Sequence, residues 1–305
     1  RNFALHSALK KTVKKNSIVV DIGSGLGFIS FAASRLGAKK CILYEVDTSV
    51  AQLSKIIAKQ NRIQNCQILS MHTAEIKVPP KADIVVSETL GSFAYEENII
   101  ENMETAKEFI RNQEGKLEGT LIPGKLKQFI APVSGNQTFE LVNTWDKIGF
   151  DLDFSLARKR SVSNMFQQSV SPTEIWKGKE STMVWDNLNF YEKNSSIRRS
   201  RNLLWKIDSN MKLHGFCLWW EAELVPGVVL STSPFEPKTH WEQVFIPVEE
   251  PVSCQVGDLV LIQLVSESSY DFGIDVEWQI LVKRGEKMIY EFDNGETEDL
   301  DEINE

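Results

Sequence analysis

The stretch "SIVVDIGSGLGFISFAASRLGA", Ser17 to Ala38, decides how the first half of this chain folds. Its opening, "SIVVDI" (17–22), is short, apolar and β-branched, as suits a strand buried on both faces of a parallel sheet. Glycines follow at 23, 25 and 27. Then "FISFAASRLGA" (28–38) takes up helical spacing and ends at Gly37, a helix C-cap residue. The alternation continues outward from there. "KCILYEV" (40–46) reads as a second strand, and Asp47 or Thr48 caps the helix "SVAQLSKIIAKQN" (49–61). "CQILSM" (66–71) and "ADIVVSE" (82–88) are further strands, and "NIIENMETAKEFIRN" (98–112) is another helix. Strand–helix repetition at this spacing predicts a doubly wound, Rossmann-like parallel sheet, an α/β fold.

After Pro123-Gly124 the rhythm changes. "LKQFIAPV" (126–133), "LHGFCLWWEAEL" (213–224), "EQVFIPV" (242–248), "DLVLIQLV" (258–265) and "VEWQILVK" (276–283) read as strands between Gly, Pro, Ser and Asn turns. No long helix is evident in this half. The pattern fits an antiparallel barrel or sandwich; with the β-barrel taken as the expectation, residues 1–123 form the nucleotide-type domain and 124–305 the barrel.

The composition narrows the function. Of 305 residues, 42% are hydrophobic and 25% charged, which is ordinary for a soluble protein, and no apolar run is long enough for a transmembrane helix, so no membrane partner is expected. The net charge of −8 argues against a bare nucleic-acid partner, because phosphate neutralisation needs clustered Lys and Arg. "SIRRSR" (196–201) is the one basic cluster and reads as a solvated hairpin. The last fifteen residues, "EFDNGETEDLDEINE", carry eight acids and no base and read as a solvated tail. Cys41, Cys66, Cys217 and Cys254 lack metal-ligand spacing and sit in apolar contexts. No metal is expected, and the cysteines read as reduced core residues of a cytoplasmic protein.

The glycine turn lies at the carboxyl end of its strand, where open parallel sheets bind ligands. Its spacing is G-x-G-x-G rather than the G-x-G-x-x-G of dinucleotide sites. Asp21, just ahead of Gly23 and Gly25, disfavours a nearby pyrophosphate and suits a cationic or zwitterionic ligand. Glu45 ends the second strand 22 residues after Gly23, where a carboxylate can accept bonds from both ribose hydroxyls. S-adenosyl-L-methionine, with an ammonium, a sulfonium and an adenosine but no phosphate, fits these groups. "MHTAEI" (71–76) follows the third strand and is expected to line the adenine side, with Thr73, Ala74 and Glu75 as candidates.

"SETLGSFAYEEN" (87–98) then places Glu88 at the end of the fourth strand and returns Glu97 nine residues later. Two carboxylates in one pocket admit metal ligation, glycoside chemistry or the clamping of a cation. The first lacks a supporting His or Asp cluster, and the second leaves the nucleoside site without a purpose. A guanidinium presents five donors in a planar fork that two carboxylates can hold. As a plain edge acid and a helix N-terminal charge, the pair would stabilise the fold by well under about 1 kcal/mol.

"VVDIGSGLG", "LYEVD" and "SETLGSFAYEEN" together resemble the protein arginine methyltransferases, and "STSPFEPKTHWEQVFIP" (231–247) is similar to that family's Thr-His-Trp loop. The resemblance implies transfer of methyl groups from S-adenosylmethionine to arginine side chains of a protein or peptide. It implies that Glu88 and Glu97 grip the guanidinium, that Glu45 binds the cofactor ribose, and that His240 shapes the pocket or relays a proton with Trp241 behind it. It further implies a homodimer formed by an arm, here residues 135–158, bearing Trp145, Phe150 and Phe154. Methylation of a small guanidino or amino compound and a catalytically silent binding module are the rival readings. The chain also departs from the family. Thr89-Leu90 stands where many members have Trp-Met, and Ala74 stands where many have a glutamate facing adenine, with Glu75 beside it as the substitute. "GSFA" resembles the symmetric-dimethylating branch and His240 the asymmetric one. The family's helical segment before the first strand falls mostly ahead of Arg1.

Overall fold

A computed structural model describes residues 1–113, 116–192 and 196–295; the acidic residues 296–305 lie outside the described residues. Helix α1 (Asn2–Thr12) precedes β1 (Ile18–Ile22), and then α2 (Phe28–Arg35), β2 (Lys40–Glu45), α3 (Thr48–Gln60), β3 (Cys66–Ser70), β4 (Ile84–Ser87) and α4 (Ile99–Phe109) alternate. The two-residue strands β5 (Asn112–Gln113) and β6 (Lys116–Leu117) pair with each other, and β7 (Thr120–Ile122) returns to the sheet. All pairings in the sheet β3-β2-β1-β4-β7 are parallel. Its central strands are mostly apolar because helices cover them, and Val19, Val20 and Val85 are wholly buried.

Register sets the position of the ligand-facing groups. Ile22 of β1 is level with Tyr44 of β2 on one side and with Ser87 of β4 on the other. The glycine turn, Glu45 and Glu88 therefore leave the sheet side by side, at the point where the strand order reverses. Asp47 caps α3, its Oδ1 accepting from the N–H groups of Ser49 (2.7 Å) and Val50 (3.1 Å). Helix α1, which the sequence reading did not assign, buries Leu5, Ala8 and Leu9.

The second half is antiparallel. β8 (Lys125–Val133), β9 (Phe166–Gln168), β10 (Met183–Asn189), β12 (Met211–Val225), β13 (Val228–Ser231) and β14 (Gln243–Cys254) form one sheet. β11 (Arg198–Lys206), β15 (Leu259–Ser269), β16 (Gly273–Arg284) and β17 (Lys287–Asp293) form the other. The sheets touch through β10 with β11 and β14 with β17, giving the barrel-type enclosure expected after Pro123. Residues along β15 alternate buried and half-exposed, the mark of a strand with one covered face. Residues 135–158 are helical rather than extended: α5 (Gln137–Val142), a single 3-10 turn at Trp145–Lys147 and the start of α6 (Ser155–Val162). Phe150 and Asp151 adopt positive φ between them, and Phe150 is 90% exposed. Trp145 instead stacks on Phe154 at 6.3 Å. Among the described residues no helix is long and apolar enough to cross a membrane.

Candidate active site

The glycine turn is built for close approach. Gly23, Gly25 and Gly27 all have positive φ, and the N–H groups of Gly23 and Ser24 both donate to the Tyr44 carbonyl at 3.0 Å. A Cβ on Gly23 would meet Thr89 Cγ2 at 2.7 Å, whereas one on Gly25 would meet nothing within 4 Å, so the turn is open at its second glycine. Glu45 folds over it, accepting from Gly25 N–H (2.8 Å) and Asp47 N–H (2.9 Å). Asp21 is buried beneath, with Oδ2 bonded by the Ser30 hydroxyl (2.8 Å) and Oδ1 buried without a partner among the described residues. Burial pushes its carboxyl up to about 6, with Glu45 nearby adding to the rise. An orphaned buried acceptor under an open glycine turn fits the cationic end of S-adenosylmethionine.

A cavity of about 180 Å³ adjoins the turn, walled by Gly23, Tyr44, His72, Thr73, Asn102 and Tyr270, with Glu97 at its edge. Thr73 of the expected adenine side faces it. Ala74 and Glu75 are exposed in the turn that follows and do not line it. His72 holds the turn and the wall together. Its Nδ1 accepts from Ala74 N–H (3.1 Å) and its ring meets Tyr270 edge-on at 4.7 Å. Tyr270 comes from the β15–β16 hairpin and donates to Asn102 Oδ1 (2.9 Å), so the barrel itself supplies part of the wall.

The loop from Glu88 to Glu97 lies against the barrel. Trp241 Nε1 donates to the Leu90 carbonyl (2.5 Å) and Trp220 Nε1 to the Gly91 carbonyl (2.9 Å). Phe93 stacks on Trp185 at 5.8 Å. Asn102 draws in the returning end, donating to Thr89 Oγ1 (3.0 Å) and the Glu97 carbonyl (3.3 Å). Beside Glu88 lies the guanidinium of Arg1. It is ion-paired with Glu88, lies over the Trp241 ring 5.4 Å from its centroid, and its charge reaches both Glu97 and His240.

Electrostatics distinguish the two acids. The Glu88 side chain is 8% exposed, and its burial raises the carboxyl to about 7 despite the lowering effect of Arg1, with Glu97 adding to the rise. Glu97 sits at the exposed mouth; partial desolvation raises its carboxyl and Arg1 opposes that. His240 is exposed beside Trp241, ring centroids 4.0 Å apart, and desolvation followed by the Arg1 charge lowers its pKa. An acid held near neutrality, a second acid and a histidine kept neutral around one cation make a site that can bind a guanidinium and pass on its proton.

Sequence reasoning missed Trp220 and Tyr270, which read as ordinary strand and turn residues. It also missed Arg199, assigned to a solvated hairpin: its guanidinium forks onto Asp186, a buried acid. A β-bulge between Val184 and Asp186 turns that carboxylate inward, and no alternation rule signals a bulge.

Comparison with known proteins finds methyltransferases. A family model described as the arginine methyltransferase oligomerization subdomain matches residues 126–281, and one for the ribosomal protein L11 methyltransferase matches residues 4–148. The histone-arginine methyltransferase CARMER of Drosophila yakuba is 29% identical over 279 residues, covering 86% of this chain and 51% of the relative. The chain thus spans about half the length of the curated relatives it matches. Among solved structures, the PRMT1 enzyme–prozyme heterotetrameric complex with AdoHcy of Trypanosoma brucei superposes with a TM-score of 0.80 at 20% identity, covering 96% of this chain and 93% of that one. Protein arginine methyltransferase 10 of Arabidopsis thaliana gives 0.75 at 18% identity, covering 95% and 92%.

Proposed function

This chain belongs to the protein arginine methyltransferase family, and on that premise we propose that it transfers methyl groups from S-adenosylmethionine to the guanidino nitrogens of arginine residues in proteins. The observation that carries the reading is the loop from Glu88 to Glu97, which Trp241 and Trp220 pin to the barrel beside the glycine turn so that two carboxylates of raised pKa act on each other in one pocket.

The residues divide the work as follows. Asp21, with its unpartnered Oδ1, would hold the ammonium end of the cofactor, and Glu45, poised over the glycine turn, would hold the ribose hydroxyls. The bound cofactor supplies an electrophilic methyl on a sulfonium. Glu88 and Glu97 localise positive charge on one side of the arginine fork, leaving a terminal nitrogen free to attack; this is positioning and electrostatic stabilisation rather than covalent catalysis by the protein. An arriving guanidinium acts on the Glu88 pKa in the same downward direction as Arg1, favouring the ionised carboxylate. The proton released on methylation leaves through Glu88 or through His240, which is neutral and open to solvent.

The enzyme acts as a homodimer. Leu141, Phe150, Leu152 and Leu156 are exposed on residues 135–158, and Leu26, Phe28, Leu53 and Ile56 are exposed on the α2 and α3 side of the parallel sheet. In the dimer the first apolar face covers the second on another copy.

The test is transfer of a labelled methyl group to an Arg-Gly-rich peptide by the full-length protein, beside Glu88→Gln and Glu97→Gln. Transfer to peptide that both variants lose supports the proposal. Transfer only to a small guanidino compound, or cofactor binding with no transfer at all, would replace it with a small-molecule enzyme or a silent binding module.

A further inference from the structure

Two residues before Glu97, the acidic loop carries a side chain that the chemistry above does not use. Tyr95 is 1% exposed, and its phenol donates to Asp186 Oδ2 on β10. Asp186 also receives both arms of the Arg199 fork from β11, Nε at 2.7 Å to Oδ2 and Nη2 to Oδ1, and its own neighbour Asn187 donates N–H to Oδ1 at 2.8 Å. Burial and the adjacent Asp186 hold the Tyr95 pKa well above its ordinary value, so the phenol stays a donor. A buried ion pair of this kind adds little net stability, since desolvating both charges offsets their attraction, whereas it does fix one geometry. The Glu88 end of the loop is already held by the two tryptophan bonds to the Leu90 and Gly91 carbonyls. On the barrel side, the Glu97 end has Tyr95, together with Asn98, whose Nδ2 donates to the Ser269 carbonyl at 2.9 Å.

We propose that Tyr95, Asp186 and Arg199 are positioning residues by which the barrel sets the Glu97 carboxylate against the guanidinium. The inference rests on the reading of Glu88 and Glu97 as a guanidinium clamp. It makes the barrel part of the catalytic geometry. A loosened loop would let Glu97 drift by an ångström or so and admit water to Glu88, lowering that carboxyl from about 7 toward its ordinary range.

Tyr95→Phe deletes one hydroxyl from a ring that otherwise keeps its contacts, and Arg199→Lys keeps the charge but loses the fork. Each is measured with an arginine peptide for kcat and KM from pH 6 to 9, and for S-adenosylhomocysteine affinity by calorimetry. The expected result for Tyr95→Phe is a kcat about tenfold lower or worse, because ångström-scale misplacement of a reacting group is that costly. The acid limb of its rate profile moves to lower pH, and its S-adenosylhomocysteine affinity stays unchanged. Arg199→Lys shows the same pattern to a smaller degree. A Tyr95→Phe protein that melts earlier but keeps wild-type kcat and pH profile overturns the inference and leaves the clamp reading intact. A wild-type protein that neither binds nor methylates the peptide overturns both.

Discussion

Replacing Glu88 by glutamine should make the protein more stable and nearly inactive at once. The carboxyl is almost fully buried and raised from 4.5 to about 7. Because the folded state holds this proton more tightly than the unfolded chain, the stability it contributes is complete below pH 4.5 and is lost as pH climbs to about 7. Above that, the buried charge costs about 3 kcal/mol, from 1.36 kcal/mol per pH unit of that interval. Glutamine has the same shape and no charge. It should equal wild type at pH 4 and exceed it at pH 8 by up to about 3 kcal/mol, a rise in Tm of about 5 °C for a chain of this size. Methyl transfer should fall on the order of 10²–10³-fold, the usual cost of removing one preorganised electrostatic partner. Thermal unfolding at the two pH values, with peptide methylation at pH 8, reads both effects. A glutamine variant less stable than wild type at pH 8, or one that still turns over normally, would refute the reasoning.

Cofactor affinity should weaken as pH falls through about 6, where Asp21 takes up its proton, and Asp21→Asn should remove that dependence while lowering S-adenosylhomocysteine affinity about tenfold, consistent with loss of one charge-assisted bond; calorimetry across pH 5 to 8 checks it. Gly23→Ala drives a Cβ to 2.7 Å from Thr89 at a positive φ, and should destabilise the protein by about 1–3 kcal/mol in denaturant unfolding. Phe150→Glu combined with Leu152→Glu should yield a monomer by sedimentation velocity at micromolar concentration, where the parent chain sediments as a dimer; a dimeric variant would remove residues 135–158 from the interface.

The parallel sheet was legible because its signals are local. "SIVVDI", the glycines and the Asp47 cap each specify a conformation within a few residues, and the structure places β1, its turn and α3 where they indicated. The juxtaposition of Glu88 with Glu45 followed from both ending strands on one edge. What escaped depends on contacts far apart in sequence. Trp241 reaches Leu90 across 151 positions and Trp220 reaches Gly91 across 129, and no window of sequence holds both partners. Arg199 looked solvated because a bulge hid the inward turn of Asp186. Ala74 and Glu75 were assigned to the adenine side from their distance past β3. The 3-10 turn at Thr73–Glu75 instead exposes both and directs Thr73 inward, since His72 caps that turn.

The central claim is that two carboxylates hold a planar cation, and it is tested most directly by comparing an arginine peptide with the same peptide carrying citrulline, which has nearly the same shape and no charge. Titrated calorimetrically into the full-length protein with S-adenosylhomocysteine present, the arginine peptide should bind and the citrulline peptide should not, with the difference abolished in Glu88→Gln. Equal binding of the two peptides would show that neither Glu88 nor Glu97 reads charge, and would contradict the account.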